Sequence, residues 1–315
     1  MLEKNYAVAV DSGKYDTKIA NKNIADGINK SKFRTKVSEF RTKINQDGGA
    51  SHVVEYNDKM YVVGEQASDS SVSFDTSKKL DIHKIATYTA IASVMPDNAF
   101  VNLGIGCPLR VFCNDKDRKE YENFFYPDGG FVTIKLDGKE KHFSVAKVRS
   151  FAESSGVINL QSGKYITKTV GVIDIGGLNL NACVYKNLYP LLDTAISEEM
   201  GGNTLQQSVK EAFQTEFNSL LKDYLMPTIL KDGYSGSKHI DKQKEIVTRM
   251  KKEHARKIYD ECVRKQWPLD FMNIIFCGGS SAFLKDELME VFEVGPECFA
   301  EDAAYSNVLG FLKKL

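Results

Sequence analysis

No stretch of about 18 consecutive apolar residues occurs in the 315-residue sequence, so nothing in it is long enough to span a bilayer. Neither sign of charge is in excess: 42 Lys+Arg offset 42 Asp+Glu, for a formal net charge of zero. That balance excludes an acidic solvating chain and a basic surface that grips a nucleic-acid backbone directly. Paired metal or redox spacing is also missing. The cysteines, Cys107, Cys113, Cys183, Cys262, Cys277 and Cys298, include no C-x-x-C, and His52, His83, His142, His239 and His254 are equally dispersed. The cysteines therefore read as buried free thiols in a reducing compartment. The glycine patterns G-x-x-x-x-G-K-[ST] and G-x-G-x-x-G are absent, which removes the support for a P-loop or dinucleotide site. Met1 to Asn5 hold no apolar signal-type run and lead straight into the strand-like Tyr6–Val10, so a cytoplasmic chain is expected.

What is present is an ordinary globular composition, 42% hydrophobic and 27% charged, with length enough for two domains. Strand and helix signals interleave throughout, which predicts an α/β fold. Tyr6–Val10 and Thr17–Ala20 read as a hairpin around Asp11-Ser12-Gly13, and residues 52–56 and 59–63 as another around Asn57-Asp58. Apolar residues at three- and four-residue spacing predict a helix over 80–95. A strand over 100–106 and an antiparallel pair around Asp137-Gly138 follow. The pattern then restarts: strands at 171–175 and 180–185, a helix marked by Leu205, Val209, Phe213, Phe217, Leu220 and Leu221, and another by Ile246 to Cys262. The Lys/Glu density over 238–265 reads as the solvated face of that second helix. A buried strand at 273–277 and a terminal helix over 302–315 close the chain.

One repeat organises these elements. Val10 to Ala20 lies on Ile173 to Cys183 without a gap, each copy running from an apolar strand through Asp-x-Gly into a returning strand, at an offset of 163 residues, about half the chain. Two related lobes facing each other are expected. A tight glycine turn brings backbone N–H groups close to an anion, and two such turns could hold a polyphosphate. Asp11 and Asp174, at the mouth of each turn, are suited to orient the waters of a Mg²⁺ ion. Lys18 on the outgoing strand could place a point charge on the phosphates, and Lys14 in the turn is a weaker candidate. A single Asp-x-Gly turn is common turn chemistry, so the weight rests on the pair. A third element, Ile274–Cys277 followed by Gly278-Gly279-Ser280-Ser281, has the form of a close-approach turn against which a nucleotide could pack.

These residues resemble the actin, Hsp70 and sugar-kinase superfamily of ATPases. The first phosphate loop is similar to Asp11 through Lys18, with Ser12, Gly13, Lys14 and Thr17, and the second to Asp174 through Asn179, with Gly176, Gly177 and Leu178. The adenosine motif is similar to Ile274–Ala282, which contains Gly278, Gly279 and Ser280. Gly201, Gly202 and Asn203, ahead of the 205–221 helix, match the place where the second lobe approaches the nucleotide. The connecting segment Phe151-Ala152-Glu153-Ser154 resembles that of plasmid-segregating actins of the ParM kind, as do Tyr61–Ala67 and Leu103–Leu109. The resemblance implies a duplicated, ribonuclease H-like, two-lobed fold with a nucleotide cleft between the lobes. Residues 1–165 would form domain I, with the 302–315 helix packing back on it, and residues 166–301 domain II.

It further implies catalysis by Glu153, Asp11 and Asp174, with Glu153 positioning the attacking water. A bland alternative for Glu153 is a carboxylate at a helix N-terminus. The sequence departs from the family pattern at Leu178, Asn179 and Asn181, where a threonine and a later aspartate are usual, and at Ser280-Ser281. Those hydroxyl and metal-shell contacts, the base preference and the hydrolysis rate therefore do not carry over. The expected activity is an ATPase, with GTP left open as the nucleotide, that uses Mg²⁺ to polymerise and disassembles after hydrolysis. The expected partners are further copies in a filament and an adapter protein holding a centromere-like plasmid DNA. A small-molecule kinase of the same superfamily is the alternative. A membrane anchor in Val308–Leu315 is the minor reading against a helix docked on the first lobe.

Overall fold

The computed structural model describes residues 5–22, 27–40, 51–68 and 78–315. The reading of residues 1–4 lies outside them. The chain divides into two compact units, Met1–Gln161 with Tyr305–Leu315, and Ser162–Ala304. The first unit carries β1 (Asn5–Ser12), β2 (Asp16–Lys22), β3 (Ile28–Arg34), β4 (Val37–Phe40), β5 (Ser51–Tyr56), β6 (Lys59–Gly64), α1 (Asp81–Val94), β7 (Ala99–Cys107), α2 (Leu109–Phe112), α3 (Asp115–Phe125), β8 (Phe131–Leu136), β9 (Lys139–Ala152) and α4 (Gly156–Leu160). The second carries α5 (Ser162–Tyr165), β10 (Thr169–Ile175), β11 (Leu180–Lys186), β12 (Tyr189–Glu198), α6 (Gly202–Phe217), α7 (Met226–Asp232), α8 (Ile240–Arg264), β13 (Asn273–Cys277) and α9 (Lys285–Phe292). The last helix, α10 (Ser306–Lys313), belongs to the first unit.

In the first unit the sheet order is β3-β2-β1-β7-β9-β8-β5-β6-β4, with β1, β7 and β9 parallel. The two-residue side-chain period of β1 sends Val8 and Val10 to one face and Ala9 and Asp11 to the other. The first face packs under α1, where Ile85, Tyr88 and Ile91 join Val8, Val10, Ile19 and Leu103. The second face is built of small residues, Ala9 and Ala20, which let α10 approach with Val308, Phe311 and Leu312. Phe311 stacks on Phe151 with ring centroids 5.1 Å apart. In the second unit the order is β12-β11-β10-β13, with β10 and β13 parallel, and the core beneath joins α6, α7, α8 and α9.

Several sequence expectations meet differences here. The 205–221 helix stops at Phe217 because Asn218 takes a left-handed conformation, φ 49°, the usual helix terminator. Leu220 and Leu221 therefore lie beyond it, and Leu220 is exposed. The terminal helix spans Ser306–Lys313, after a single 3-10 turn at Ala303–Tyr305. All six cysteines are free, but Cys113 is exposed and Cys298 half-buried, so only four fit the buried reading. The Asn57-Asp58 turn has φ of 50° and 58°, the doubly left-handed geometry that matches strand twist in a two-residue hairpin. Among the described residues no helix is long and apolar enough to cross a membrane.

Candidate functional site

The repeat in the sequence is a repeat in geometry. In the first unit the Gly13 amide donates to the Asp16 carbonyl at 3.1 Å, and in the second the Gly176 amide donates to the Asn179 carbonyl at 2.9 Å. Both ends of this bond are offset by the same 163 residues. The strand pairing repeats as well, Asp11 opposite Lys18 and Asp174 opposite Asn181. Each aspartate is the last residue but one of its strand and lies beside a parallel neighbour with a glycine one position before or after its final residue. A Cβ on Gly106, after Ile105 of β7, would lie 3.1 Å from Asp11 Oδ1. Gly278, directly after β13, has φ 87°, and a Cβ there would overlap both Asp174 Oδ1 and the Ile175 carbonyl. A Cβ would thus crowd the Asp11 carboxylate and overlap that of Asp174 outright. Asp11 and Asp174 are 7% and 8% exposed, so both are held within their unit and still reach its surface.

Around the second turn the structure brings together all the residues the sequence assigned to that half. The first N–H groups of a helix have no partner inside it. At α6 they are spent on the turn: Gly201 donates to Leu178, Gly202 to Gly176 and Asn203 to Gly177, at 2.7–2.9 Å. From the other side the Ser280 hydroxyl donates to the Gly176 carbonyl at 2.9 Å and the Ser280 amide to Ile175 at 3.0 Å. Gly201, Gly202, Asn203 and Ser280 are therefore the scaffold of this turn. The Asn181 side-chain Oδ1 accepts from the Ser197 hydroxyl at 3.1 Å, which ties it to β12. Beyond Gly279, a cavity of ≈ 270 Å³ is lined by Ala282, Phe283, Lys285, Asp286 and Glu287 with Leu230, Lys231 and Lys251. Burial raises the Glu287 carboxyl above its ordinary range.

The α6 scaffold is pinned from behind by His254 of α8, whose Nε2 bonds the Met200 carbonyl at 3.1 Å. Burial pushes this imidazole down to about 4, against the opposing effect of the Met200 bond. Folded His254 is thus neutral where an unfolded histidine, near 6.5, would begin to protonate. The unfolded chain binds more protons between those values, so stability is lost as pH falls from about 6.5 towards 4, by up to roughly 3 kcal/mol. Urea midpoints taken across this range should decline, and His254→Gln should flatten the decline.

In the first unit the candidates divide. Thr17 points to the α1 side of the sheet, fully buried, and shares a 2.8 Å hydrogen bond with the Thr35 hydroxyl. Ser12 shares one of 3.1 Å with His83 Nδ1. These two side chains brace the turn from beneath. Asp11 and Lys18 lie on the opposite face as a cross-strand pair. Glu153 follows β9 directly, its amide donating to the Cys107 carbonyl at 2.9 Å, and it is 8% exposed.

Lys78 is the site residue that the sequence reading missed. It is 6% exposed with φ 54°, and its ammonium forms an ion pair with Glu153 Oε1 and lies 3.8 Å from Asp11 Oδ1. Burial lowers its pKa, but the Glu153 and Asp11 carboxylates outweigh that and leave it above the ordinary lysine value. Asn307 of α10 completes the group, its Nδ2 donating to Asp11 Oδ2 at 3.5 Å. Nothing local marks Lys78, which in sequence is one of two adjacent lysines ahead of α1.

Two family descriptions match the chain: the N-terminal domain of actin-like proteins over residues 9–156, and the C-terminal domain of the archaeal actin homologue, MreB-like, over residues 172–290. The chain belongs to the actin-like proteins. No curated protein matches it by sequence. Solved structures of similar fold cover nearly all of this actin-like chain. The Alp12 filament is 28% identical, covers 98% of each chain and superposes with a TM-score of 0.73. The archaeal actin homologue Ta0583 in complex with ADP is 17% identical over 97% of each chain, with a TM-score of 0.76. A 15-stranded ParM filament from Clostridium botulinum is 16% identical over 99% of each chain, with a TM-score of 0.74.

The residues present fit a nucleotide with a hard divalent cation. Both aspartates are oxygen donors, and each sits in a cradle that a Cβ would fill. Among the described residues no three His, Cys, Asp or Glu side chains gather into a metal cage. Mg²⁺ keeps several waters and takes one or two carboxylates plus substrate phosphates, and an aspartate oxygen is a donor of that hard kind.

Proposed function

We propose that this actin-like chain is a nucleotide-dependent filament protein that segregates plasmid DNA, assembling with ATP and Mg²⁺ and disassembling after hydrolysis. The observation that carries the reading is the pair of equivalent turns, each headed by a buried aspartate and closed by the same hydrogen bond. The likeness to the Alp12 and ParM filaments supports the assembly, and the ADP complex of the archaeal homologue supports the nucleotide.

In this reading the turns at 13–16 and 176–179 are the phosphate loops, and Asp11 and Asp174 hold waters of the metal shell. Mg²⁺, when bound, supplies charge neutralisation on the phosphate oxygens. Lys18 adds positive charge beside Asp11. Glu153 accepts a hydrogen bond from the attacking water and sets its direction. The cavity beyond Gly279, with the Phe283 ring on its wall, takes the base. Assembly is heterologous and open-ended, further copies being the main partner, and an adapter protein links the filament to a centromere-like DNA site. The zero net charge agrees with DNA held through that adapter.

Light scattering and pelleting test this. ATP with Mg²⁺ is expected to move the purified chain into the pellet, with decay as ATP is consumed, and GTP in a parallel run reports the base preference. Sugar-dependent release of ADP without polymer would instead assign a small-molecule kinase.

A further inference from the structure

The parallel strands β1, β7 and β9 lie side by side, and their ends carry Asp11, Gly106-Cys107 and Glu153 in that order. Two buried carboxylates thus stand at the ends of the outer strands, with Gly106 beside the end of the strand between them. The ends of parallel strands are where such sheets bind ligands. One side chain spans the gap: Lys78, ion-paired with Glu153 and 3.8 Å from Asp11. Its backbone is in the left-handed region, at φ 54°, which lysine rarely adopts, so the surrounding fold imposes its position. It belongs to neither phosphate turn.

We propose that Lys78 is the positioning residue of the hydrolytic step, an internal ammonium that sets the direction of the Glu153 carboxylate and couples it to Asp11. The proposal rests on the reading of Glu153 given above. A carboxylate on a strand end has freedom about its own torsions. A buried ion pair restricts that freedom, because turning the carboxylate away gives up its ammonium partner in a desolvated setting. Lys78 therefore acts through Glu153, and its loss should appear in turnover and leave nucleotide affinity nearly unchanged.

The test uses the full chain, with phosphate release from ATP-Mg²⁺ for turnover and calorimetry with ADP for affinity. Lys78→Met is expected to lower kcat by about 10²-fold, the scale of a misplaced catalytic group, with ADP affinity within about twofold. Lys78→Arg, which keeps the charge, should recover most of kcat. Lys78→Met in a Glu153→Ala background should cost nothing further, since the group it positions is gone. That double variant has no uncompensated buried Glu153 charge, so it remains informative if Lys78→Met alone does not fold. Parental kcat in Lys78→Met, or an additional tenfold loss in the double variant, overturns the proposal while leaving Glu153 in its role. Parental turnover in Glu153→Ala as well as Glu153→Gln overturns the Glu153 reading and this proposal together.

Discussion

Glu153→Ala is expected to bind ATP and assemble as the parent does but to release phosphate about 10²–10⁴-fold more slowly, the range for losing a positioned general base. Filaments should then persist after the parent's have dissolved. The residue stands one position past β9, its amide fixed to Cys107 and its carboxylate on Lys78, so the side chain is placed by the sheet and by a buried ion pair. Truncation removes the acceptor and leaves Lys78 with Asp11 at 3.8 Å. Removing one partner of a buried pair costs about 3–5 kcal/mol, so the thermal midpoint should also drop. Glu153→Gln, of the same shape, separates the two effects. Phosphate release, pelleting and melting of both variants form the measurement, and parent-like turnover in both would take the water-positioning role away from Glu153.

The second large effect is structural. Gly310→Ala should destabilise the first unit by about 3 kcal/mol, near the top of the usual overpacking range. A Cβ at Gly310 would overlap the Gly156 carbonyl and Cα, and one at Gly156 would overlap the backbone of Ser306 and Asn307. These are main-chain atoms of α4 and α10, and neither helix can yield without lifting α10 from Ala9, Ala20 and Phe151. The same shift would withdraw Asn307 from Asp11. At 2–4 °C per kcal/mol the expected drop is roughly 6–12 °C. Gly163→Ala is the control: a Cβ there meets nothing within 4 Å, and its melt should match the parent's.

The two aspartate-headed turns were legible in the sequence because a tight turn is a local event. Asp11-Ser12-Gly13 and Asp174-Ile175-Gly176 each carry the residues their own hydrogen bond needs, and their strands carry the alternation that pairs them. The α6 boundary was misread because Leu220 and Leu221 extend the apolar spacing past Asn218, whose left-handed backbone ends the helix all the same. The edge strands β3 and β12 were passed over because they bury one face or less, and their exposed residues blur the alternation on which a strand reading depends. Sequence places Gly201, Gly202 and Asn203 near the turn, but only the fold shows that their N–H groups hold it.

By itself, then, the sequence determined the α/β class, the duplicated half-chain pattern, and the two acidic turns with their strands, since each of these depends on neighbours within about a dozen residues. Tertiary structure alone decided that Thr17 and Ser12 turn inward, that α10 closes on Gly156, and that Lys78 joins Glu153 and Asp11. Those contacts link residues from 18 to 154 positions apart. Which charged side chain ends up desolvated beside which other one is set by the stacking of strands and helices, and a linear pattern of residue types carries no record of it.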